Sequence, residues 1–144
     1  MDSGHTKRMS TAFPTILVVD DDDDVRALAV AILHDAGYRP IPATNGDAAM
    51  MMLQSGLTVD LLFTDIVMPG DLDGFSLAYE AKLLHPDIKV LYTTGFAEIS
   101  AGKLGRYVEG PMLKKPYRPA TLASEVMRAL GEAHRYEGYA AQRI

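Results

Sequence analysis

Cysteine is absent from the 144 residues. Disulfides, thiol nucleophiles, Cys-ligated zinc and iron–sulfur clusters are therefore excluded. No apolar stretch approaches the roughly 20 residues needed to cross a bilayer. The opening MDSGHTKRMSTAFP also lacks the apolar core of a secretory signal. Positive charge is scarce, with 14 Lys and Arg against 19 Asp and Glu and a net charge of −5. That balance argues against nucleic acid or an anionic membrane as the main partner. The four histidines show no HxxH or HxxxH spacing and read as ordinary surface residues. What is present is 48% hydrophobic residues, enough for one buried core. The expectation is a cytoplasmic protein with a short disordered leader over 1–13, one folded domain over 14–131 and a tail over 132–144.

Strand-like and helical patterns alternate about five times along the chain. TILVV, residues 15–19, is a compact β-branched run suited to a strand covered on both faces. Val25, Leu28, Ala29 and Ile32 follow helical spacing and predict an inward face, with Asp24 as N-cap and Gly37 just past the end. YRPIPAT is a second strand, and Asn45 caps a helix carrying Ala48, Ala49, Met52 and Leu53 that Gly56 stops. VDLLFTD is the third strand, FSLAYEAKLLHP a helix, and IKVLYTTG the fourth strand. A short or irregular helix is expected over 96–108; PMLKKP is the fifth strand, and Pro119 starts a last helix with Leu122, Val126, Ala129 and Leu130 inward.

This alternation predicts an α/β fold, a doubly wound five-stranded parallel sheet with helices on both faces. Pro40 and Pro42 in strand two and Pro111 and Pro116 around strand five cannot donate to a ladder, so both strands belong at edges. The flavodoxin-like order 2-1-3-4-5 satisfies that requirement. Ligands then bind beyond the carboxyl ends of the strands, where Asp20, Asp21, Asp65, Thr94 and Lys115 fall. Three carboxylates in one place require a cation, and an all-oxygen site without Cys or His suits Mg²⁺. A carboxylate beside Mg²⁺, a lysine and a threonine is a phosphoryl site in which the carboxylate itself can be the nucleophile. Asp65, central and followed by a Met-Pro turn, is the expected acceptor.

The acidic pair in VVDD, the acceptor in TDIVMP, the TTG step and the KKPY step occur in order, each at a strand end. With them the chain resembles the receiver domain of two-component response regulators from about Thr15 to Ala129. The resemblance implies phosphotransfer from the phosphohistidine of a histidine kinase or phosphotransfer protein to Asp65. It also implies Asp21 as a direct Mg²⁺ ligand, Asp20 acting through water, the Val67 backbone carbonyl completing the metal shell, Thr94 as switch hydroxyl and Lys115 on the phosphoryl group. Output would be a protein partner contacting the surface formed by 96–108, the fifth strand and the last helix. The chain would be a monomer or weak homodimer, and a switch rather than a turnover enzyme. In the run Asp20–Asp24, Asp22 and Asp23 read as a solvated loop.

Two departures stand out. DIVMPGDLDG, from Asp65 to Gly74, is one residue longer than the commonest family pattern and looks like receivers attached to hybrid sensor kinases. It raises the question of whether Asp71 or Asp73 lies near the metal. Met112 occupies the position three before Lys115 where the family usually has an aromatic residue. Val67 and Phe96, where a hydrolytic water would be positioned, are apolar, which predicts a long-lived phosphoryl state. Two rival readings fail on particular atoms. A haloacid-dehalogenase-like phosphatase needs an acid two residues after the nucleophile, where Val67 stands. An EF-hand loop counted from Asp20 needs Gly and Glu where Val25 and Ala31 stand. A receiver fold used as a binding module without phosphorylation is the remaining alternative.

Overall fold

The computed structural model describes residues 13–95 and 111–131, and the statements below concern those residues. The leader up to residue 12, the tail from 132 and the expected helix over 96–108, with Phe96, lie outside them.

The elements in chain order are β1 (Thr15–Val19), α1 (Asp23–Asp35), β2 (Arg39–Ala43), α2 (Gly46–Gln54), β3 (Leu61–Asp65), α3 (Gly74–Leu84), β4 (Lys89–Thr94), β5 (Met112–Lys114) and α4 (Pro119–Leu130). All strand pairings are parallel and the order is β2-β1-β3-β4-β5. The proline argument holds: Pro40 and Pro42 lie in β2, which pairs only with β1, and β5 closes the opposite edge.

Side-chain alternation along the central strands builds two cores. Ile16, Val18, Phe63, Leu91 and Leu113 pack with Leu33 of α1 and Leu122 and Val126 of α4. Leu17, Val19, Leu62 and Tyr92 face the other way, onto Ala49 and Leu53 of α2 and Leu77 and Ala81 of α3. Each central strand is covered on both sides, which is why β1 and β3 are buried along their whole length.

Two expectations for α1 need correction. Its N-cap is Asp22 rather than Asp24: Asp22 Oδ1 accepts from the amides of Asp24 and Val25, each at 3.0 Å. Asp24 falls in the first turn, where its charge favours the helix dipole. The buried face is Ala29, Ile32 and Leu33, while Leu28 is 51% exposed. The helix is thus rotated by about one residue from the face its first apolar positions suggested. The remaining ends follow expectation: Asn45 accepts from the Ala48 amide, Pro119 opens α4, and Gly37 and Gly56 take the left-handed backbone just past their helices.

Candidate functional site

The carboxyl ends of β1, β3 and β4 and the start of the loop after β5 lie side by side because those strands are neighbours in the sheet. Asp20 follows β1 and is buried, Asp21 is exposed, and Asp65 closes β3 in a fully buried strand. One carboxylate oxygen from each of the three lies within 4.8 Å of the other two. Lys115 Nζ stands between two of them, 3.0 Å from Asp20 Oδ2 and 3.0 Å from Asp65 Oδ2. Lys114 is exposed, so the choice between the adjacent lysines falls on Lys115.

Burial, the largest influence on the Lys115 ammonium, pushes its pKa down. The hydrogen bonds and negative charges of Asp20 and Asp65 outweigh that and hold it above the ordinary lysine value. One ammonium against three carboxylates leaves the cluster negative, a setting for a further cation. The donors also suit a small hard ion. Octahedral Mg²⁺ with oxygens at about 2.0–2.1 Å has opposite ligands roughly 4 Å apart, which falls inside the 4.8 Å limit on the three carboxylate oxygens. Asp71 and Asp73 do not join this group. Asp73 caps α3, its Oδ1 accepting from the Ser76 amide at 2.8 Å, and Asp71 is exposed. Val67 sits in the loop just beyond Asp65 and is half-buried against the α2–α3 core.

The surroundings hold Asp20 and Asp65 rigidly. Asp20 Oδ1 accepts from the Asp22 amide at 2.9 Å, and Arg26 Nη1 donates to the Asp20 carbonyl at 2.7 Å. Arg26 also bonds Asp23 through Nη2 at 2.6 Å. The aspartate run thus divides into two site residues, a cap, an arginine partner and a dipole residue. On β3, Thr64 Oγ1 donates to the Asp65 carbonyl at 2.9 Å, and the Ile66 amide bonds the Thr93 carbonyl at 3.0 Å. Gly74 N donates to the Ile66 carbonyl at 2.7 Å, drawing the start of α3 onto the backbone just past Asp65.

Three buried hydroxyls near this cluster have no hydrogen-bond partner among the described residues: Thr93, Thr94 and Tyr117. Thr94 is the hydroxyl expected from the sequence. Thr93 pairs in register with Asp65 and by alternation shares its face of the sheet, whereas Thr94 shares the face of Tyr92. Both are buried, so burial does not separate them. Tyr117 packs its ring edge-on to Phe63, with centroids 5.9 Å apart. Burial first, then the charge of Asp20, with Lys115 opposing and Asp65 adding, pushes its pKa up to about 12. Tyr117 and Arg26 are not singled out from the sequence; the TTG step offers Thr93 beside Thr94, with the small Gly95 favouring Thr94, and Gly74 enters only as the end of the DIVMPGDLDG loop. The KKPY step contained Tyr117, but nothing in it marked the hydroxyl as buried.

Replacing Lys115 by Met tests this charge arrangement. It leaves buried Asp20 and Asp65 facing each other without their ammonium, and should cost about 1–3 kcal/mol of stability in metal-free buffer. Mg²⁺ should recover more of the melting temperature in Lys115→Met than in the parent. An equal Mg²⁺-induced shift in both proteins would contradict it.

The family model described as "Response regulator receiver domain" matches residues 16–127. The response regulator receiver protein CpdR of Brucella abortus is 37% identical over 119 residues, covering 80% of this chain and 95% of that protein. The sensor kinase CckA of the same organism is 36% identical over 81% of this chain, but the match spans only 12% of the kinase. Among solved structures, a response regulator receiver protein from Sinorhizobium medicae superposes with a TM-score of 0.73 at 29% identity, covering 84% of this chain and 97% of that one. The receiver domain of the hybrid histidine kinase CckA superposes with a TM-score of 0.67 at 31% identity, covering 81% and 98%. The acidic cluster, the bridging lysine and the β2-β1-β3-β4-β5 sheet occur in a chain matched over most of its length, which therefore belongs to the response regulator receiver domain family of two-component systems.

Proposed function

We propose that the protein accepts a phosphoryl group on Asp65 from the phosphohistidine of a histidine kinase or histidine phosphotransfer protein, with Mg²⁺ bound by Asp20, Asp21, Asp65 and the Val67 carbonyl. The observation that carries this reading is Lys115 Nζ held 3.0 Å from both Asp65 and Asp20, with the Asp21 carboxylate in the same cluster. An Asp65 carboxylate oxygen attacks phosphorus, the P–N bond breaks, its electron pair returns to the imidazole, and an acyl phosphate forms. Bound Mg²⁺ supplies charge neutralisation for the phosphoryl oxygens. Lys115 supplies a second positive charge and orients the group, and a buried hydroxyl donates to one phosphoryl oxygen.

The phosphoryl group then biases a surface. Thr94 closes toward it, and the change reaches Tyr92 and Met112, which pair in register on the same face of the sheet. Tyr92 in turn packs edge-on against Phe75 of α3 with centroids 5.1 Å apart. The flexible methionine takes the place of the usual aromatic switch and refills the space a moving Thr94 leaves. Output is contact with a protein partner in the cytoplasm, and the domain acts as a switch that catalyses only its own phosphorylation and slow hydrolysis.

The reading is tested by incubating the protein with Mg²⁺ and acetyl phosphate and measuring intact mass. Gain of one phosphoryl group is expected, and no gain would overturn it. The two hydroxyls are separated by Thr94→Val and Thr93→Val. Thr94→Val should still take the phosphoryl group but lose at least half of the phosphorylation-dependent amide shifts at Tyr92 and Met112, while Thr93→Val retains them. The reverse pattern would move the switch to Thr93.

A further inference from the structure

Asp20 is buried and both of its carboxylate oxygens are in use: Oδ1 accepts from the Asp22 amide at 2.9 Å and Oδ2 faces Lys115 Nζ at 3.0 Å. Two residues beyond that lysine, the Tyr117 hydroxyl is buried and has no partner among the described residues. A hydroxyl taken out of water without a partner is unfavourable. Its ring lies edge-on to Phe63, two positions before Asp65 on the same face of β3, so the phenol sits beneath the acidic cluster. The charges of Asp20, Lys115 and Asp65 all reach it. The unpartnered phenol thus lies on the Asp65 face of the sheet, two residues past the lysine that engages Asp20.

We propose that Tyr117 is a positioning residue whose hydroxyl takes over the hydrogen bond to Asp20 Oδ2 when a phosphoryl group on Asp65 draws Lys115 away. The inference rests on the phosphoacceptor reading of Asp65. In the resting state Lys115 bonds two buried carboxylates at once, and a phosphoryl group on Asp65 places its oxygens farther out, so a lysine that follows them lengthens its bond to Asp20. Without a replacement donor, Asp20 would hold the lysine back. With the phenol available, Lys115 is released and Asp20 keeps its orientation beside the metal position. The hydroxyl therefore contributes in the phosphoryl-bound state and contributes nothing in the resting state.

Tyr117→Phe keeps the ring and removes only that oxygen. The probe is beryllium fluoride with Mg²⁺, a non-covalent phosphoryl mimic that binds a carboxylate. Titration should show about tenfold weaker binding to Tyr117→Phe than to the parent, the scale of one hydrogen bond to a charged group. The melting temperature of the unliganded variant should be no lower than the parent's, and its affinity for Mg²⁺ alone should agree within about twofold, since Lys115 still covers Asp20 in both states. A merely structural tyrosine would lower the unliganded melting temperature and leave the mimic's affinity unchanged, and that pattern overturns the proposal. Equal affinity in a parent that binds the mimic and gains phosphoryl mass overturns the Tyr117 role alone. A parent that does neither overturns the phosphoacceptor reading and this inference with it.

Discussion

Asp65→Asn should abolish phosphoryl gain from acetyl phosphate while leaving the fold intact. The amide presents no anionic oxygen to phosphorus and cannot form the acyl phosphate, so the loss should be complete rather than graded. Stability should hold or rise. Asp65 is one of three clustered carboxylates, and removing its charge relieves repulsion with Asp20 and Asp21. Lys115 keeps Asp20 as its partner at 3.0 Å, so no buried ammonium is stranded. Affinity for Mg²⁺ should fall, because one of the three oxygens loses its charge. Intact mass with and without donor, together with thermal melts across a Mg²⁺ titration, checks all three points. Continued phosphorylation of Asp65→Asn would move the acceptor to another residue, and unfolding would show that the carboxylate serves the core rather than chemistry.

Much of this site was legible in the sequence because its markers are local. A buried parallel strand is a short apolar run, and such runs end in Asp20, Asp65 and Thr94; once strand order is known, their proximity follows. The prolines in and around the two edge strands supplied the order, since missing amide donors exclude them from the centre. The misplaced features depended on choices that local pattern cannot make. Five equivalent aspartates all make acceptable caps, and the one that caps is set by where Asp20 must stop, since Asp20 Oδ1 holds the Asp22 amide. Leu28 fits the period of α1 as well as Leu33 does, and packing against Leu122 and Val126 of α4 decides which is buried. Thr93 and Tyr117 needed the register between strands and the tilt of a ring on Phe63. Both are tertiary facts without a sequence period. Asp73 looked like a metal candidate because a carboxylate suits a helix cap and a metal equally well.

Gly74→Ala should be among the most damaging single-methyl changes in the domain. A Cβ at Gly74 would overlap the Asp65 carbonyl oxygen and lie 2.7 Å from Ile66 Cα, and both are backbone atoms rather than a side chain that can swing away. That backbone is fixed on both sides. Thr64 Oγ1 holds the Asp65 carbonyl at 2.9 Å, and the Ile66 amide holds the Thr93 carbonyl at 3.0 Å. The methyl must therefore push α3 off β3 or displace the Asp65–Ile66 peptide. The expected cost is about 2–3 kcal/mol, a fall in melting temperature on the order of 10 °C. Phosphorylation should slow by about a hundredfold, the scale of a 1 Å misplacement of a reacting group. Gly37→Ala is the control. Its φ of +94° strains an alanine, but nothing lies within 4 Å, so it should cost only about 1–2 kcal/mol and leave phosphorylation unchanged. Position 74 thus couples stability to the placement of Asp65 in one contact, because α3 rests directly on the Asp65–Ile66 peptide. If Gly74→Ala melts with the parent and accepts phosphoryl at the parent's rate, that close approach is absent in solution and the acceptor is held in place by the strand alone.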